Sequence, residues 1–120
     1  MSEPWPTELR LTAAGTLLNI RFESGAHYVL SAEFLRVESP SAEVRGHGPS
    51  QQQLVYGKRL VTITAIEPVG TYAVRLIFND GHTSGIYTWS YLNTLGQEGQ
   101  SLWNSYIAKL ASQGRQREPT

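Results

Sequence analysis

Cysteine is absent from all 120 residues, which excludes disulfide frameworks, thiolate zinc centres and iron–sulfur clusters held by the chain's own thiolates. An excess of either charge is also missing. Ten Lys and Arg residues balance ten Asp and Glu residues, so no summed field draws the chain to nucleic acid or an anionic membrane. No apolar run approaches the length of a membrane span, and Met1-Ser2-Glu3-Pro4-Trp5-Pro6 lacks the basic leader and apolar stretch of a secretory signal. The G-x-S-x-G elbow, the P-loop and the dinucleotide fingerprint do not occur either. The expectation is a cytoplasmic protein with no cofactor and with neither nucleic acid nor membrane as a partner.

The residues that are present suit one compact domain. Leu18, Ile20 and Phe22 alternate with Leu17, Asn19 and Arg21, the period-two signature of a half-buried strand. Glu23-Ser24-Gly25 then turns the chain into a partner strand over Ala26–Leu30. Ser31 is placed to cap a short helical turn over Ala32–Arg36. From Ser39 to Gln53 the composition is Ser, Pro, Gly, Gln and charge, which predicts a long loop. Strands are expected over Leu60–Ile66, Tyr72–Phe78 and Ser84–Thr88, with turns at Pro68-Val69-Gly70 and Asn79-Asp80-Gly81-His82.

The period then lengthens. Ser90–Leu95 reads as a short helix, and Leu102, Trp103, Tyr106, Ile107 and Leu110 form one stripe of a second, with Gly114 as a left-handed cap. The fold class predicted is α+β, a small single domain dominated by antiparallel strands in hairpins, with a C-terminal helix. Residues 1–8 read as an N-terminal arm, 9–112 as the domain and 113–120 as a polar, disordered tail.

His47 and His82, each beside glycine, are the candidates for acid–base or metal chemistry. Glu43 lies four residues before His47 and Asp80 two before His82, and the four together have the donor types for a divalent ion. Gly46, Gly48 and Pro49 oppose a helix that would hold Glu43 and His47 in register. The competing reading is that each histidine pins its own loop by hydrogen bonds. Arg45-Gly46-His47-Gly48 offers donors for an anion or a partner. Tyr87, Trp89, Tyr91 and Trp103 lack interleaved Lys and Arg, so they read as core rather than as a base-stacking platform.

Taken in order, the segment from Leu35-Arg36-Val37-Glu38-Ser39-Pro40 to Arg45-Gly46-His47-Gly48, then Gly57-Lys58, Val61-Thr62-Ile63, Glu67–Leu76 and Asp80-Gly81-His82-Thr83-Ser84-Gly85-Ile86-Tyr87-Thr88-Trp89 resemble the DUF971 family. That family is similar to the N-terminal domain of gamma-butyrobetaine hydroxylase and trimethyllysine hydroxylase, and the resemblance spans roughly Leu9–Leu110. In those hydroxylases the domain precedes a separate iron- and 2-oxoglutarate-dependent barrel and holds zinc through a Cys-Pro-Cys-x-x-Cys run plus a later histidine. The matching positions here are Ser39, Ser41, Val44 and His82. The resemblance therefore implies a domain from which the zinc site has been lost, because serine is a feeble zinc ligand at neutral pH and valine is none.

Neither the barrel nor its iron ligands are among these residues, so the resemblance implies the accessory module and not the hydroxylase reaction. Related domains fused to P-loop ATPases of the iron–sulfur carrier type imply a role near cluster assembly. The expectation is a non-enzymatic protein-binding module whose partner is such an ATPase or an oxygenase, with Arg36, Glu43, Arg45, His47, Asp80 and His82 as candidate binding residues. The alternative is a small-molecule or metal-binding domain, or a small enzyme, built on His47, His82, Glu43 and Asp80.

Overall fold

A computed structural model describes residues 4–40 and 54–119. The first sheet has the order β1-β2-β3, formed by β1 (Pro6–Thr12), β2 (Leu17–Phe22) and β3 (His27–Ser31). The helix α1 (Ala32–Val37) follows, and a second sheet is built from β4 (Ile63–Val69), β5 (Ala73–Phe78) and β6 (Ile86–Thr88) in that spatial order. The long helix α2 (Trp89–Ser112) closes the regular structure. All strand pairs are antiparallel, so the α+β class expected from the sequence is the one observed.

Alternation works as anticipated in β2, where Leu18, Ile20 and Phe22 are buried. They meet Leu30, Phe34, Leu35, Ile63, Val74, Leu76, Phe78, Leu92 and Leu95 in one core shared by both sheets and both helices. Ser31 Oγ accepts from the Phe34 amide at 3.0 Å, the predicted cap of α1. A smaller cluster of Val37, Tyr106 and Leu110 lies farther along α2.

Several expectations are corrected. Residues 1–8 are not all an arm, since Pro6 pairs with Phe22 and Glu8 with Arg21. The turn expected at Pro68 is strand: Pro68 pairs with Val74 in β4, an edge strand, where a missing amide is tolerated. The two C-terminal helices are one helix of 24 residues. Gly96 and Gly99 do not break it, because they lie against Tyr28 and Phe34 and tertiary packing outweighs their poor propensity. Ile107, expected in the buried stripe, is 38% exposed.

Gly114 does cap α2 as predicted. Its amide donates to the Ala111 carbonyl at 3.2 Å and the Arg115 amide to the Leu110 carbonyl at 2.9 Å, the paired bonds of a Schellman motif. Beyond it, residues 115–119 are laid along the molecule rather than free as expected, with the Gly57 amide donating to the Gln116 carbonyl and the Arg59 amide to the Arg117 carbonyl, both at 3.0 Å. Composition offered this segment nothing apolar to bury; an ion pair with Glu33 holds it instead.

Candidate functional site

The short helix α1 leaves its C-terminal carbonyls without intrahelical partners. Two tyrosines supply them: Tyr87 donates its hydroxyl to the Leu35 carbonyl and Tyr91 to the Glu38 carbonyl. Tyr87 is fully buried, whereas Trp89, Tyr91 and Trp103 are half-buried against the core, as their reading as packing residues required. The hydroxyl bonds add a second role that aromatic patterning did not reveal.

The end of α1 is thereby fixed against β6 and the first turn of α2, and two predicted residues meet beside it. Ser39 Oγ and His82 Nε2 lie 2.9 Å apart in a buried hydrogen bond, with the donor set by the imidazole tautomer. Ser39, expected to open an exposed loop, is completely buried. Gly85 makes this approach possible, since a Cβ there would stand 2.7 Å from Ser39 Oγ and 3.0 Å from the Tyr87 ring. The His82 ring also packs on Phe78 with centroids 6.0 Å apart.

Asp80 occupies the same turn and faces outward. Its Oδ2 accepts from Arg36 Nε at 2.9 Å and from Lys58 Nζ at 2.7 Å, while its Oδ1 accepts from the His82 amide at 3.1 Å. Burial alone would raise the Asp80 pKa; the hydrogen bonds from Lys58, His82 and Arg36 outweigh it and hold the carboxyl down at about 2. This arrangement binds α1, the 57–58 segment and the 79–82 turn to one carboxylate. Lys58 had no role assigned from sequence, and only the Gly57-Lys58 pair in the resemblance pointed to it.

Arg36, Asp80 and His82 are therefore brought together, with Asp80 bonded to the Arg36 side chain and the His82 amide. A cavity of about 230 Å³ beside Asp80 is lined by Gly57, Lys58, Leu60, Val61, Asn79 and Pro119, and His82 is not on its wall. Glu43, Arg45 and His47, with Ser41 and Val44, fall outside the described residues.

Ser39 and His82, two positions that the resemblance equates with zinc ligands, do lie side by side. The donor set nevertheless does not fit zinc: it offers one hydroxyl and one imidazole, the hydroxyl is engaged by the imidazole Nε2, and the chain has no cysteine. Among the described residues no three His, Asp or Glu side chains are grouped closely enough to hold a metal ion. No helix among them is long and apolar enough to cross a membrane.

The profile of the family described as gamma-butyrobetaine hydroxylase-like, N-terminal, matches residues 9–93. Two NMR solution structures are each 46% identical to the chain. One covers 99% of this chain and 94% of its own with a TM-score of 0.85, and the other 97% and 86% with a TM-score of 0.83. A crystal structure from Acidithiobacillus ferrooxidans ATCC 23270, of a protein with unknown function in the DUF971 family, is 38% identical with a TM-score of 0.64 and covers 76% of this chain and 91% of its own. No curated protein matches the sequence.

Proposed function

The chain belongs to the gamma-butyrobetaine hydroxylase-like N-terminal, or DUF971, family, and from that premise we propose that it is a non-enzymatic accessory module that binds another protein. One observation carries the reading: Asp80 and His82, the described members of the candidate acid–base set, are engaged by Arg36, Lys58 and Ser39. A general acid or base must reach the proton it moves, and a carboxylate clamped between two cations is poorly suited to that. The Ser39–Gln53 stretch beyond the buried Ser39, rich in turn residues and carrying Arg45 and His47, is the contact surface in this reading. The partner to test first is a P-loop ATPase of the iron–sulfur carrier type, with an oxygenase second, both suggested by the domain's relatives.

The test is capture of the purified ATPase and oxygenase by the immobilised protein, repeated with Arg45→Ala/His47→Ala. The double variant should keep its stability within about 1 kcal/mol and lose capture. Loss of folding would assign the motif to structure, and unchanged capture would remove it from the interface. Failure of the wild type to retain either protein, together with chelator-resistant metal near one equivalent per chain, would replace the reading with a metal site.

A further inference from the structure

The segment after α2 is held in the manner of a bound peptide. Residues 115, 116, 118 and 119 are exposed and without regular structure, and the segment contributes no side chain to either apolar cluster. It is held by Arg117, by two backbone bonds, by the Arg115 guanidinium carbon 4.6 Å over the Tyr56 ring, and by peripheral charge.

The anchor is Arg117. Its Nη2 donates to Glu33 Oε1 at 2.7 Å and its Nε to Glu33 Oε2 at 2.8 Å, a bidentate pair across 84 residues of sequence. The guanidinium carbon also stands 5.1 Å over the Trp103 ring, within cation–π range. On the receiving side the Gly57 and Arg59 amides donate to the strap, and Arg59 Nη1 reaches both carboxylate oxygens of Glu118 at 2.8 and 3.0 Å.

The receiving surface is built for this ligand whichever chain supplies it. With Arg117 in place Glu33 is only 6% exposed, and a carboxylate closed off in this way without a cation is strongly disfavoured, so a segment that covers Glu33 must bring a bidentate donor. A planar fork that also stacks on an indole specifies arginine over lysine. Arg59 then favours an acidic residue immediately afterwards, and the two amides take the carbonyls of consecutive residues, Gln116 and Arg117, from a segment that bends at Arg117 and Glu118.

We infer that Glu33, Trp103 and the Gly57–Arg59 edge form a peptide-recognition groove for a short, bent Arg-acidic segment of a partner protein, which the chain's own Arg117-Glu118 occupies in cis. The inference rests on the binding-module reading and deepens it. It uses residues separate from Ser39–Gln53, so capture by Arg45 and His47 and binding in this groove fail independently. The cis segment competes with every occupant in trans at an effective concentration of about millimolar; a second copy brings only the same sequence the groove already holds, whereas a partner can displace it with a tighter-binding Arg-acidic segment.

The experiment titrates a synthetic peptide of residues 113–119, Gln-Gly-Arg-Gln-Arg-Glu-Pro, into the full chain by calorimetry. Arg117→Ala removes the cis anchor and should bind the peptide at least about tenfold more tightly than wild type. Adding Glu33→Gln should abolish the gain, as should a peptide carrying alanine in place of the second arginine. Equal binding by wild type and Arg117→Ala, or indifference to Glu33→Gln, overturns the inference. Peptide-free dimerisation of the wild type at micromolar concentration would make the second copy the occupant and overturn the partner assignment.

Should Arg117→Ala fail to fold, hydrogen exchange on the wild type decides. The Gly57 and Arg59 amides should exchange well before those of β2, as a strap that lifts from an intact fold requires. Exchange of all of them together would make the strap an integral part of the fold.

Discussion

Alanine at Gly96 should destabilise this domain, although helix propensity alone favours alanine by about 1 kcal/mol. Gly96 lies inside α2 against β3, and a Cβ there would fall onto Cγ and Cδ2 of Tyr28 and stand 2.7 Å from Cδ1. The contact is at the base of the ring, so rotation about χ2 does not relieve it. Tyr28 is itself half-buried, with its ring against Phe22 at a centroid distance of 6.2 Å. Relief requires a new χ1 for Tyr28 or separation of helix from sheet, and such overpacking costs about 1–3 kcal/mol. Three ring atoms under 3.0 Å place the cost in the upper part of that range, about 2–3 kcal/mol, so that set against the propensity gain the net loss is about 1–2 kcal/mol.

Gly99→Ala is the internal control. Its Cβ would stand 3.8 and 3.9 Å from two Phe34 ring atoms, an ordinary contact, so propensity should prevail with a gain of about 0.5–1 kcal/mol. Thermal melts followed by circular dichroism should then separate the two variants by roughly 5–10 °C. In a Tyr28→Ala background the Gly96→Ala penalty should vanish, because the obstructing ring is gone. If Gly96→Ala proves as stable as Gly99→Ala, the close approach of α2 to β3 is wrong.

The depressed Asp80 pKa predicts acid sensitivity of defined sign. Because the folded value of about 2 lies below the ordinary 3.8, the stabilisation is present above the latter and is lost as pH falls toward the former. Solvent screening keeps it to about 1–2 kcal/mol; denaturant midpoints from pH 5 down to pH 2 should fall less steeply for Asp80→Asn than for wild type, and parallel curves would refute the assignment. Trp103→Ala should cost about 2–3 kcal/mol, below the penalty for a fully buried indole, since the half-buried ring packs on Phe34 and Tyr106 at 6.3 and 5.3 Å. Ile107→Ala, at an exposed position, should stay within about 0.5 kcal/mol, and equal losses at the two sites would show that the stripe is assigned to the wrong face.

What the sequence determined by itself was local. Alternation in Leu17–Phe22 settled which side of β2 is buried, Ser31 marked the start of α1, and Gly114 marked the end of α2, because strand period and helix caps depend on neighbours a few residues away. The motif order from Leu35 to Trp89 was legible in the same way and pointed to the family. The tertiary structure decided what distant residues do for one another. Ser90–Leu95 and the stripe from Leu102 read as two helices until the fold made them one, with Gly96 and Gly99 against Tyr28 and Phe34, and Pro68 looked like a turn until its strand took the edge of a sheet. Asp80 and His82 were visible as candidates, but only the fold set Arg36 and Lys58 around the one and Ser39 beside the other. The polar composition of residues 113–120 suggested disorder because a charged segment buries no apolar surface. Arg117 is held through Glu33, a partner 84 positions away, and no local pattern encodes a pairing that exists only once the chain path has brought α1 beside the segment that follows α2.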